Sequence, residues 1–512
     1  MVVANEQSET HMTATARATV RLTKILRGVD ARTASAHGDL EISELAYDSR
    51  LVKPGTLFFA IHGEKTDGNK FVSDAVDHGA AAILSEQANP GTLPAGFPWI
   101  QVADARKAMA ISAANYYGRP ADVMKLIGVT GTNGKTTTSY LVDSILRAAG
   151  CEVGLLGTIG YRLVRESRPA PNTTPESLDL QKYLAEIVQA GGTHAVLEAS
   201  SHALAMDRLW GCSFAVAIFT NLTRDHLDYH KTLEDYFAAK RRLFEGTGAT
   251  APATGVINRD DEYGQRLSGL ASRTLTYGLD PGADVSTRKP SLSLSGIEFS
   301  AETPAGKIEI RSKLVGRPNV YNILAAVGAG VALGLSKEVI ATGIAQLPAV
   351  PGRFERIEMG QPFLVVVDYA HTDDALRNLL ATAKDLNPDG RMITLFGCGG
   401  DRDRTKRPLM GEAAGRASEI VVLTSDNPRS EDPLLIINDV IVGVQRTKTK
   451  LIIEPDRQKA IELALDEARS GDIVLLAGKG HETYQVLRDR TIEFDDREIA
   501  RAVLRQRGFG GD

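Results

Sequence analysis

The stretch from Leu126 to Thr138 constrains the fold of this chain more than any other. It begins with apolar side chains, turns through Gly131 and Gly134, and then enters a helical pattern. A buried strand, a glycine loop and a helix in this order predict a phosphate-binding loop, because backbone N–H groups and the positive end of the helix face the anion. Lys135 would reach the outer phosphates, and a Thr hydroxyl would hold Mg²⁺.

One position of this loop departs from the strict nucleotide-binding pattern. That pattern places Gly at 129, where this chain has Val129. A glycine loop that merely turns the chain is therefore an alternative interpretation. The Gly-Lys-Thr sequence at 134–136, directly after an apolar run, favours the ATP-binding interpretation.

Length and composition restrict the class of protein. At roughly 150 residues per domain, 512 residues predict three domains. The net charge of −5 argues against a broad nucleic-acid surface. Cys151, Cys212 and Cys398 lack metal-ligand spacing and are expected to be free thiols in a reducing compartment. No apolar run reaches the roughly 18 residues of a membrane span, so a cytoplasmic location is expected.

The chain is expected to be an α/β protein with three domains after a flexible extension at 1–19. A small α/β domain is predicted at 20–121, with a strand near residue 57 and a helix over 71–82. A central nucleotide-binding domain is predicted at 122–350, with a small β region at 271–313. Regular alternation of strands and helices at 351–512 predicts a C-terminal Rossmann-like domain.

Polar clusters directly follow two predicted strands of the central domain. Glu198 begins the first cluster and His226 ends the second. The carboxyl edge of an open parallel sheet is where ligands bind, and the phosphate loop lies at the same edge. Both residues are therefore candidate Mg²⁺ ligands, direct or through water. For His226, a buried ring satisfied by a backbone carbonyl is the alternative.

Lys240 lies in a predicted helix at 236–244. Phe237, Lys240 and Phe244 would share one face of this helix. A lysine among apolar neighbours usually extends its ammonium group to solvent. The residues alone therefore predict that Lys240 is a surface residue.

The C-terminal domain has charged loops after four predicted strands. These loops lie at 368–371, 397–403, 426–429 and 478–482. Right-handed crossovers in one parallel sheet bring the carboxyl ends of all its strands to one edge. The sequence therefore predicts a second binding edge in this domain.

The motifs together resemble those of the Mur ligases, in the order in which that family has them. They are Gly131-Thr-Asn-Gly-Lys-Thr136, Asn172-Thr-Thr-Pro175, Glu198-Ala-Ser-Ser-His202, Thr220-Asn-Leu-Thr-Arg-Asp-His226, Tyr369-Ala-His371 and Asp426-Asn-Pro-Arg429. The resemblance covers nearly the whole chain after about residue 40. It is strongest to members that add meso-diaminopimelate to UDP-N-acetylmuramoyl-L-alanyl-D-glutamate, a cytoplasmic step of peptidoglycan precursor synthesis.

The resemblance implies an ATP- and Mg²⁺-dependent ligase that works through an acyl phosphate. The central domain would be a P-loop-type ATPase, and residues 20–121 would bind the UDP-sugar. No nucleic-acid partner and no membrane span are implied, and a monomer is expected. One rival interpretation is a folylpolyglutamate synthetase, and the N-terminal domain and the Asp-Asn-Pro-Arg motif argue against it. Another is an ATP-dependent regulatory module without ligation, and Lys240 together with the acyl-phosphate constellation argues against that.

The family's site residues carry over by motif. The catalytic residues would be Lys135, Glu198, His226 and Lys240, with Lys240 carbamylated to N6-carboxylysine. The metal ligands would be Thr136, Glu198, His226 and Lys240. ATP would contact Gly131, Thr132, Asn133, Gly134, Lys135, Thr136, Thr137, Asn319, Asn322, Arg353 and Asp368. The UDP-sugar-peptide would contact Tyr47, Ser49, Glu64, Lys65, Thr66, Asn172, Thr173, Thr174, Ser200 and Arg208. Diaminopimelate would contact Arg402, Asp426, Asn427, Pro428, Arg429, Gly478 and Glu482.

The choice of amino acid has a physical argument of its own. Meso-diaminopimelate ends in an amino-carboxylate, whereas L-lysine ends in an ammonium alone. Arg429 can pair bidentately with the extra carboxylate, assisted by Arg402, and both would be poorly paired around lysine. Glu482 is expected to receive the distal ammonium. At 64–66, some relatives have His-Gln-Ala, which leaves the uridine contacts open there.

Overall fold

The computed structural model describes residues 19–33, 40–63 and 66–510. It separates into two compact units, Met1–Arg119 and Pro120–Asp512, which are described in turn. The extension predicted at 1–19 lies outside the described residues except for Thr19. No helix within the described ranges is both long and apolar enough to cross a membrane.

The first unit is a small α/β domain. Its described strands and helices are β1 (Val20–Arg21), α1 (Leu22–Ile25), β2 (Ala31–Thr33), β3 (Glu41–Ile42), β4 (Glu44–Ala46), β5 (Thr56–Ala60), α2 (Val72–Asp77), β6 (Ala80–Ser85), β7 (Trp99–Val102) and α3 (Ala105–Tyr116). Short 3-10 turns occupy Ser49–Leu51 and Gly68–Phe71. Among described residues, five strands form one sheet in the order β2-β7-β6-β5-β4, parallel except for β2, and β1 pairs with β3.

The helix predicted over 71–82 is partly wrong. The α-helix covers only Val72–Asp77, and strand β6 already begins at Ala80. Gly79 ends the helix with φ +97°, where a Cβ would clash with the Pro54 backbone. The apolar run after Gly79 has a central position in the sheet and is buried on both faces, so it reads as a continuous run without strand alternation.

The central region of the second unit is built on one large sheet and its flanking helices. Its elements are β8 (Lys125–Thr130), α4 (Lys135–Ala148), β9 (Val153–Leu156), β10 (Tyr161–Leu163), β11 (Glu166–Arg168), α5 (Ser177–Gln189), β12 (His194–Glu198), α6 (Ser201–Ala205), β13 (Phe214–Phe219), α7 (Leu227–His230), α8 (Leu233–Glu245), β14 (Thr254–Asn258), α9 (Glu262–Gln265), β15 (Thr274–Gly278), β16 (Val285–Ser286), β17 (Ser291–Ser293), β18 (Gly296–Ala301), β19 (Ile308–Ser312), α10 (Arg317–Ala332) and α11 (Lys337–Gln346).

Among described residues the large sheet has nine strands in the order β11-β10-β9-β12-β8-β13-β14-β15-β16. The pairings from β9 to β16 are parallel, and β10 and β11 add an antiparallel hairpin. Separate apolar cores cover the two faces, one of them under α4, α10 and α11. Strands β17, β18 and β19 form a small antiparallel sheet within the β region predicted at 271–313, whereas β15 and β16 of that region belong to the large sheet.

The predicted strand, glycine loop and helix are confirmed at the centre of this sheet. Gly131 has φ +144°, and a Cβ there would collide with the Thr220 side chain. Gly134 has φ +86° immediately before α4, and a Cβ there would meet the Asn322 amide. Only glycine fits these two positions, because both the backbone conformation and the neighbouring side chains exclude a Cβ.

The C-terminal region is a second parallel sheet between two layers of helices. Its elements are β20 (Glu355–Ile357), β21 (Leu364–Asp368), α12 (Asp373–Leu386), β22 (Met392–Phe396), α13 (Lys406–Ala417), β23 (Ile420–Leu423), α14 (Pro433–Val444), β24 (Lys450–Ile453), α15 (Arg457–Asp466), β25 (Ile473–Ala477), β26 (Tyr484–Val486), β27 (Thr491–Glu493) and α16 (Asp496–Gln506). Its described strand order is β20-β21-β25-β22-β23-β24, with only β20 antiparallel. The four charged loops therefore follow strands that all end at one edge, as predicted.

Candidate active site

A cavity of about 270 Å³ opens between the phosphate loop and the C-terminal sheet. Both regions belong to the second unit of the structure. The sequence-predicted residues that line it are Thr132, Asn133, Gly134, Lys135, Thr136, Thr137, Thr173, Glu198, Ser200, His226, Lys240, Asn319, Asn322, Arg353 and Asp368. The structure therefore brings together the predicted ATP and metal residues. Gly131 does not line the cavity, but its carbonyl accepts hydrogen bonds from Lys135 and Lys240.

Lys135 begins helix α4 and folds back over its own loop. Its Nζ donates hydrogen bonds to the carbonyls of Gly131 and Thr132, both at 2.9 Å. Burial lowers the pKa of Lys135, and the nearby carboxylate of Glu198 opposes this effect. A lysine held in this way lies at the mouth of an anion-binding loop, where a bound phosphate would replace the carbonyls as its partner.

Glu198 ends strand β12 with its carboxylate buried beside the phosphate loop. It accepts hydrogen bonds from the Thr136 hydroxyl at 3.0 Å and from the Thr158 amide and hydroxyl at 3.0 and 2.9 Å. These donors are all neutral, so no cation is hydrogen-bonded to this buried carboxylate among the described residues. A carboxylate and a hydroxyl next to a phosphate loop are the oxygen ligands that Mg²⁺ uses in nucleotide sites.

His226 faces the same cavity from the loop after strand β13. Its backbone is left-handed, with φ +54°, and its Nε2 lies 3.3 Å from the Asp225 carboxylate. The ring of His202 packs edge-on against it, with centroids 4.8 Å apart. Desolvation lowers the pKa of His226 to about 3, so the ring is neutral and able to ligate a metal. Among the residues that the structure describes, no backbone carbonyl is hydrogen-bonded to this ring, which was the alternative interpretation.

Lys240 is buried, so the prediction that it is a surface residue is wrong. Its side chain is on the face of α8 that packs under the phosphate loop, and only 1% of the residue is exposed. Its Nζ donates to the Gly131 carbonyl at 2.8 Å and lies 4.4 Å from the Tyr236 ring centroid. Burial and the charge of Lys135 hold the pKa of Lys240 well below its usual range.

The other predicted ATP residues border the cavity from helix α10, the loop before β20 and the end of β21. Asn319 and Asn322, on α10, are joined by a hydrogen bond of 2.9 Å. Arg353 donates to the Thr136 hydroxyl at 3.1 Å, and its guanidinium lies over the Tyr369 ring. Asp368 accepts two backbone hydrogen bonds, and its burial raises the pKa of its carboxyl.

The predicted sugar-peptide residues of the second unit form a network beside Glu198. The Thr174 hydroxyl donates to the Glu198 carbonyl at 2.6 Å and accepts from the Ser200 amide at 3.1 Å. Arg208 donates to the Thr174 carbonyl at 3.0 Å and pairs with Glu176 at 2.8 Å. Thr173 contacts the Thr158 hydroxyl, and the Asn172 carbonyl accepts from Tyr161.

Three predicted sugar-nucleotide residues lie in the described part of the first unit. Tyr47 and Ser49 directly follow β4, and Thr66 lies beyond β5, the neighbouring parallel strand. They therefore follow strands that end at the same edge of that sheet. Glu64 and Lys65 lie outside the described residues.

The predicted diaminopimelate residues come together at the edge of the C-terminal sheet. Arg429 has a left-handed backbone and donates to the Gly400 carbonyl at 2.7 Å. Burial and the nearby charge of Arg402 lower the pKa of Arg429. Asn427 donates to Glu482 at 2.9 Å, which joins two of the four loops. Gly478, Asp426 and Pro428 lie in the same two loops, and Gly478 has φ +107°.

Sequence reasoning missed four residues of these sites. Thr158 and Asp225 hold Glu198 and His226, and both follow strands, which is the signal that could have found them. Asp374 accepts hydrogen bonds from two loops of the central region. Lys479 is fully buried between acidic side chains. Asp374 has no local signal, because its partners Asn133 and Thr223 are far away in the sequence, whereas Lys479 lies in the charged loop at 478–482, three residues before its partner Glu482.

Within the described residues, no group of three or more His, Cys, Asp and Glu side chains is placed to hold a metal ion. A Mg²⁺ site does not require such a group, because Mg²⁺ keeps several waters and binds substrate phosphates with few protein ligands. The three cysteines are unpaired, as predicted.

Comparison with known proteins identifies the family. Sequence profiles match in three segments: the Mur ligase family catalytic domain at 41–117, the Mur ligase middle domain at 129–330, and the Mur ligase glutamate ligase domain at 352–480. A UDP-N-acetylmuramoyl-L-alanyl-D-glutamate–2,6-diaminopimelate ligase of Solibacter usitatus is 57% identical over 471 residues, covering 92% of this chain and 94% of that protein. The chain belongs to the Mur ligase family.

Solved structures agree with this assignment. A structure of a UDP-N-acetylmuramoyl-L-alanyl-D-glutamate–2,6-diaminopimelate ligase aligns with a TM-score of 0.66 at 35% identity, covering 96% of this Mur ligase and all of that chain. A MurF ligase from Thermotoga maritima in complex with ADP has a TM-score of 0.62 at 19% identity, covering 91% and 98% of the two chains, and supports the fold alone. The predicted family and three-domain α/β architecture are confirmed.

Proposed function

We propose that this Mur ligase joins meso-diaminopimelate to the D-glutamate carboxylate of UDP-N-acetylmuramoyl-L-alanyl-D-glutamate and converts ATP to ADP and phosphate. The observation that carries the proposal is the 57% identity, over most of both chains, to a protein named as this ligase. The geometry supports it with an ATP-type cavity and an amino-acid pocket of matching charge. The reaction belongs to peptidoglycan precursor synthesis and would take place in the cytoplasm.

The reaction needs two transfers. A carboxylate oxygen of D-glutamate attacks the γ-phosphorus of ATP, and ADP leaves. The amine of diaminopimelate then attacks the acyl carbon, inorganic phosphate leaves, and the nitrogen loses a proton. Both steps concentrate negative charge on oxygens, so fixed cations and backbone N–H groups are the main catalytic requirement. Lys135 and the N-terminus of α4 are placed for that role.

Mg²⁺ would be held by Glu198, Thr136 and His226, because each presents an oxygen or a neutral ring nitrogen to the cavity. When bound, it would neutralise charge on the phosphate oxygens. Thr158 fixes both oxygens of Glu198, and Arg353 fixes Thr136, so these ligands are oriented before the nucleotide binds.

The chemistry of Lys240 fits its proposed carbamylation. Only a neutral amine attacks CO₂, and burial favours the neutral form of this lysine. The amine nitrogen would form a bond to the carbon of CO₂ as one C=O π bond opens onto oxygen, and the nitrogen would lose a proton, so that the neutral amine becomes a carbamate anion attached to the side chain. An anion at this position would face Lys135, which lies near enough to act on Lys240 electrostatically.

The pocket at the C-terminal sheet edge has a charge pattern that suits an amino-carboxylate. Arg429 donates one short hydrogen bond, to the Gly400 carbonyl, so the other N–H groups of its guanidinium can pair with a carboxylate. Glu482 and Asp426, whose charges act on Arg429, would receive an ammonium. L-Lysine offers the ammonium only and would leave Arg429 poorly paired.

The remaining assignments complete the proposal. The uridine end of the substrate would contact Tyr47, Ser49 and Thr66, with Glu64 and Lys65, and the sugar-peptide end would contact the network around Thr174. The domain limits at 121 and 350 and the monomeric state remain predictions. They are tested by limited proteolysis and by sedimentation of the purified chain.

The test is phosphate release from ATP and Mg²⁺ with UDP-N-acetylmuramoyl-L-alanyl-D-glutamate. Meso-diaminopimelate, L-lysine and no amino acid are compared. Release only with meso-diaminopimelate, together with a UDP-tripeptide by mass spectrometry, is expected. Phosphate release with L-lysine would refute the claim that Arg429 selects the extra carboxylate. Release independent of any amino acid would refute the proposed ligase activity.

A further inference from the structure

Lys479 is a fully buried lysine to which the proposed reaction gives no role. It lies between Gly478 and Gly480 in the loop after strand β25, and its side chain is 0% exposed. A buried ammonium is stable only if carboxylates and hydrogen-bond acceptors surround it. The partners of Lys479 therefore define what the buried end of this pocket can bind.

The Nζ of Lys479 reaches three side chains. It lies 3.1 Å from Glu482 Oε2, 3.6 Å from Asp426 Oδ1 and 3.4 Å from Asn427 Oδ1. Asn427 Nδ2 also donates to Glu482 Oε2, at 2.9 Å. Glu482 Oε2 thus accepts hydrogen bonds from two donors, whereas Glu482 Oε1 has no hydrogen-bond partner among the described residues.

Lys479, Glu482, Asp426 and Asn427 form a buried cluster. Asp426 is its second acidic group, and one of its oxygens lacks a hydrogen bond. Its Oδ1 is buried and makes no hydrogen bond within the described residues, where Lys479, at 3.6 Å, is the cation within ion-pair distance of it. Desolvation and the neighbouring charge of Asp426 raise the pKa of Glu482. The cluster therefore has two carboxylates for one ammonium, and Asp426 Oδ1 and Glu482 Oε1 both lack a hydrogen bond among the described residues.

Other charged groups near the cluster do not neutralise its excess negative charge. Arg457 acts on Asp426 and Glu482, but it is already bound to Asp496 at 2.6 Å, and both of those side chains are 0% exposed. Arg429 lies near enough to Asp426 and Glu482 for their charges to act on it, but it forms no ion pair with either among the described residues. Tyr484 and Tyr369 border it and are neutral.

We propose that Lys479 is a positioning residue that anchors Glu482 by one oxygen and leaves the acidic side of the pocket with room for one ligand ammonium. With Arg429 nearby, these side chains match a zwitterionic end group with one ammonium and one carboxylate. This inference rests on the proposed function, since it concerns the distal end of diaminopimelate. It predicts that Lys479 acts on the amino-acid substrate and not on ATP.

The test is Lys479→Met, which keeps the length of the side chain and removes its charge. Two carboxylates then share the pocket without an internal cation, and Glu482 loses an anchor. The KM for meso-diaminopimelate is expected to rise about tenfold or more near neutral pH, while the KM for ATP stays within about twofold. Lys450→Met, which removes an exposed lysine paired with Glu467, is the matched control and is expected to change neither KM.

Two further readouts separate this role from simple packing. One carboxyl of the variant protonates as the pH falls, which restores the charge balance. The loss in kcat/KM relative to wild type is therefore expected to shrink between about pH 8.5 and about pH 6. The double variant Lys479→Met/Glu482→Gln also removes the surplus charge, so it is expected to be more thermally stable than Lys479→Met.

Each result bears on the proposal. A wild-type KM for meso-diaminopimelate in folded Lys479→Met, or a parallel rise in the KM values of all substrates, would overturn it. If Lys479→Met does not fold, a double variant that is no more stable would also overturn it. If the wild-type chain releases phosphate independently of diaminopimelate, the proposed function fails instead.

Discussion

Replacing Asp374 with alanine is expected to weaken the use of ATP, although Asp374 lies on the C-terminal helix α12. Its Oδ2 accepts a hydrogen bond from Asn133 Nδ2 at 2.8 Å and another from Thr223 Oγ1 at 3.1 Å. Asn133 is in the phosphate loop, and Thr223 is in the loop that leads to His226. One carboxylate of the C-terminal region therefore orders two loops of the ATP site.

The magnitude follows from those two bonds. A hydrogen bond to a charged group contributes about 1.5–3 kcal/mol, and the lower value applies here because the carboxylate is only partly buried. Loss of both bonds then costs about 3 kcal/mol, which corresponds to about a hundredfold decrease in kcat/KM for ATP. Asp374→Asn keeps an acceptor oxygen without its charge, so a smaller decrease of about tenfold is expected.

The assay is phosphate release at varied ATP, with both other substrates saturating. Asp373→Ala is the matched control, because Asp373 is also acidic, lies in the same first turn of α12, and accepts no hydrogen bond from the described residues. It is expected to resemble wild type. If the Asp374→Ala and Asp373→Ala variants agree within about twofold, the two hydrogen bonds do not order the ATP site and the reasoning fails.

Further variants test other parts of the structure. Lys240→Ala is expected to lose most activity without rescue by added bicarbonate, since it lacks the amine that CO₂ would modify; near-normal turnover would exclude the carbamate. Arg429→Ala is expected to raise the KM for meso-diaminopimelate by about a hundredfold; an unchanged KM would contradict carboxylate recognition. Arg457→Met leaves Asp496 buried without its cation and is expected to lower the free energy of unfolding by about 3–5 kcal/mol in urea titrations; a loss below about 1 kcal/mol would show that the pair contributes little.

The elements that position the ATP site were predictable because their signals are local. The apolar run before Gly131 and the helical pattern after Gly134 follow from chain geometry alone. The polar clusters that begin at Glu198 and end at His226 each follow an apolar strand, and parallel strands bring such clusters to one edge. The pairing of both strands with β8 confirms this expectation.

Lys240 shows where local patterns fail. Helical spacing gave it a common face with Phe237 and Phe244, and all three are buried. Spacing does not reveal that this face packs beneath Gly131, whose carbonyl accepts the ammonium hydrogen bond. The same limit applies to Gly79, after which an apolar run continues as a strand instead of a helix.

The sequence by itself determined the family, the order of strands and loops along the chain, and the residue types that ATP and an amino-carboxylate require. Each of these follows from motifs of residues that are contiguous in the sequence. Only the tertiary structure decided which charges are buried together. Asp374 bonds to Asn133, 241 positions away, and Lys479 bonds to Asn427, 52 positions away. Such pairs depend on how separate elements pack, and the cost of burying a charge depends on that packing.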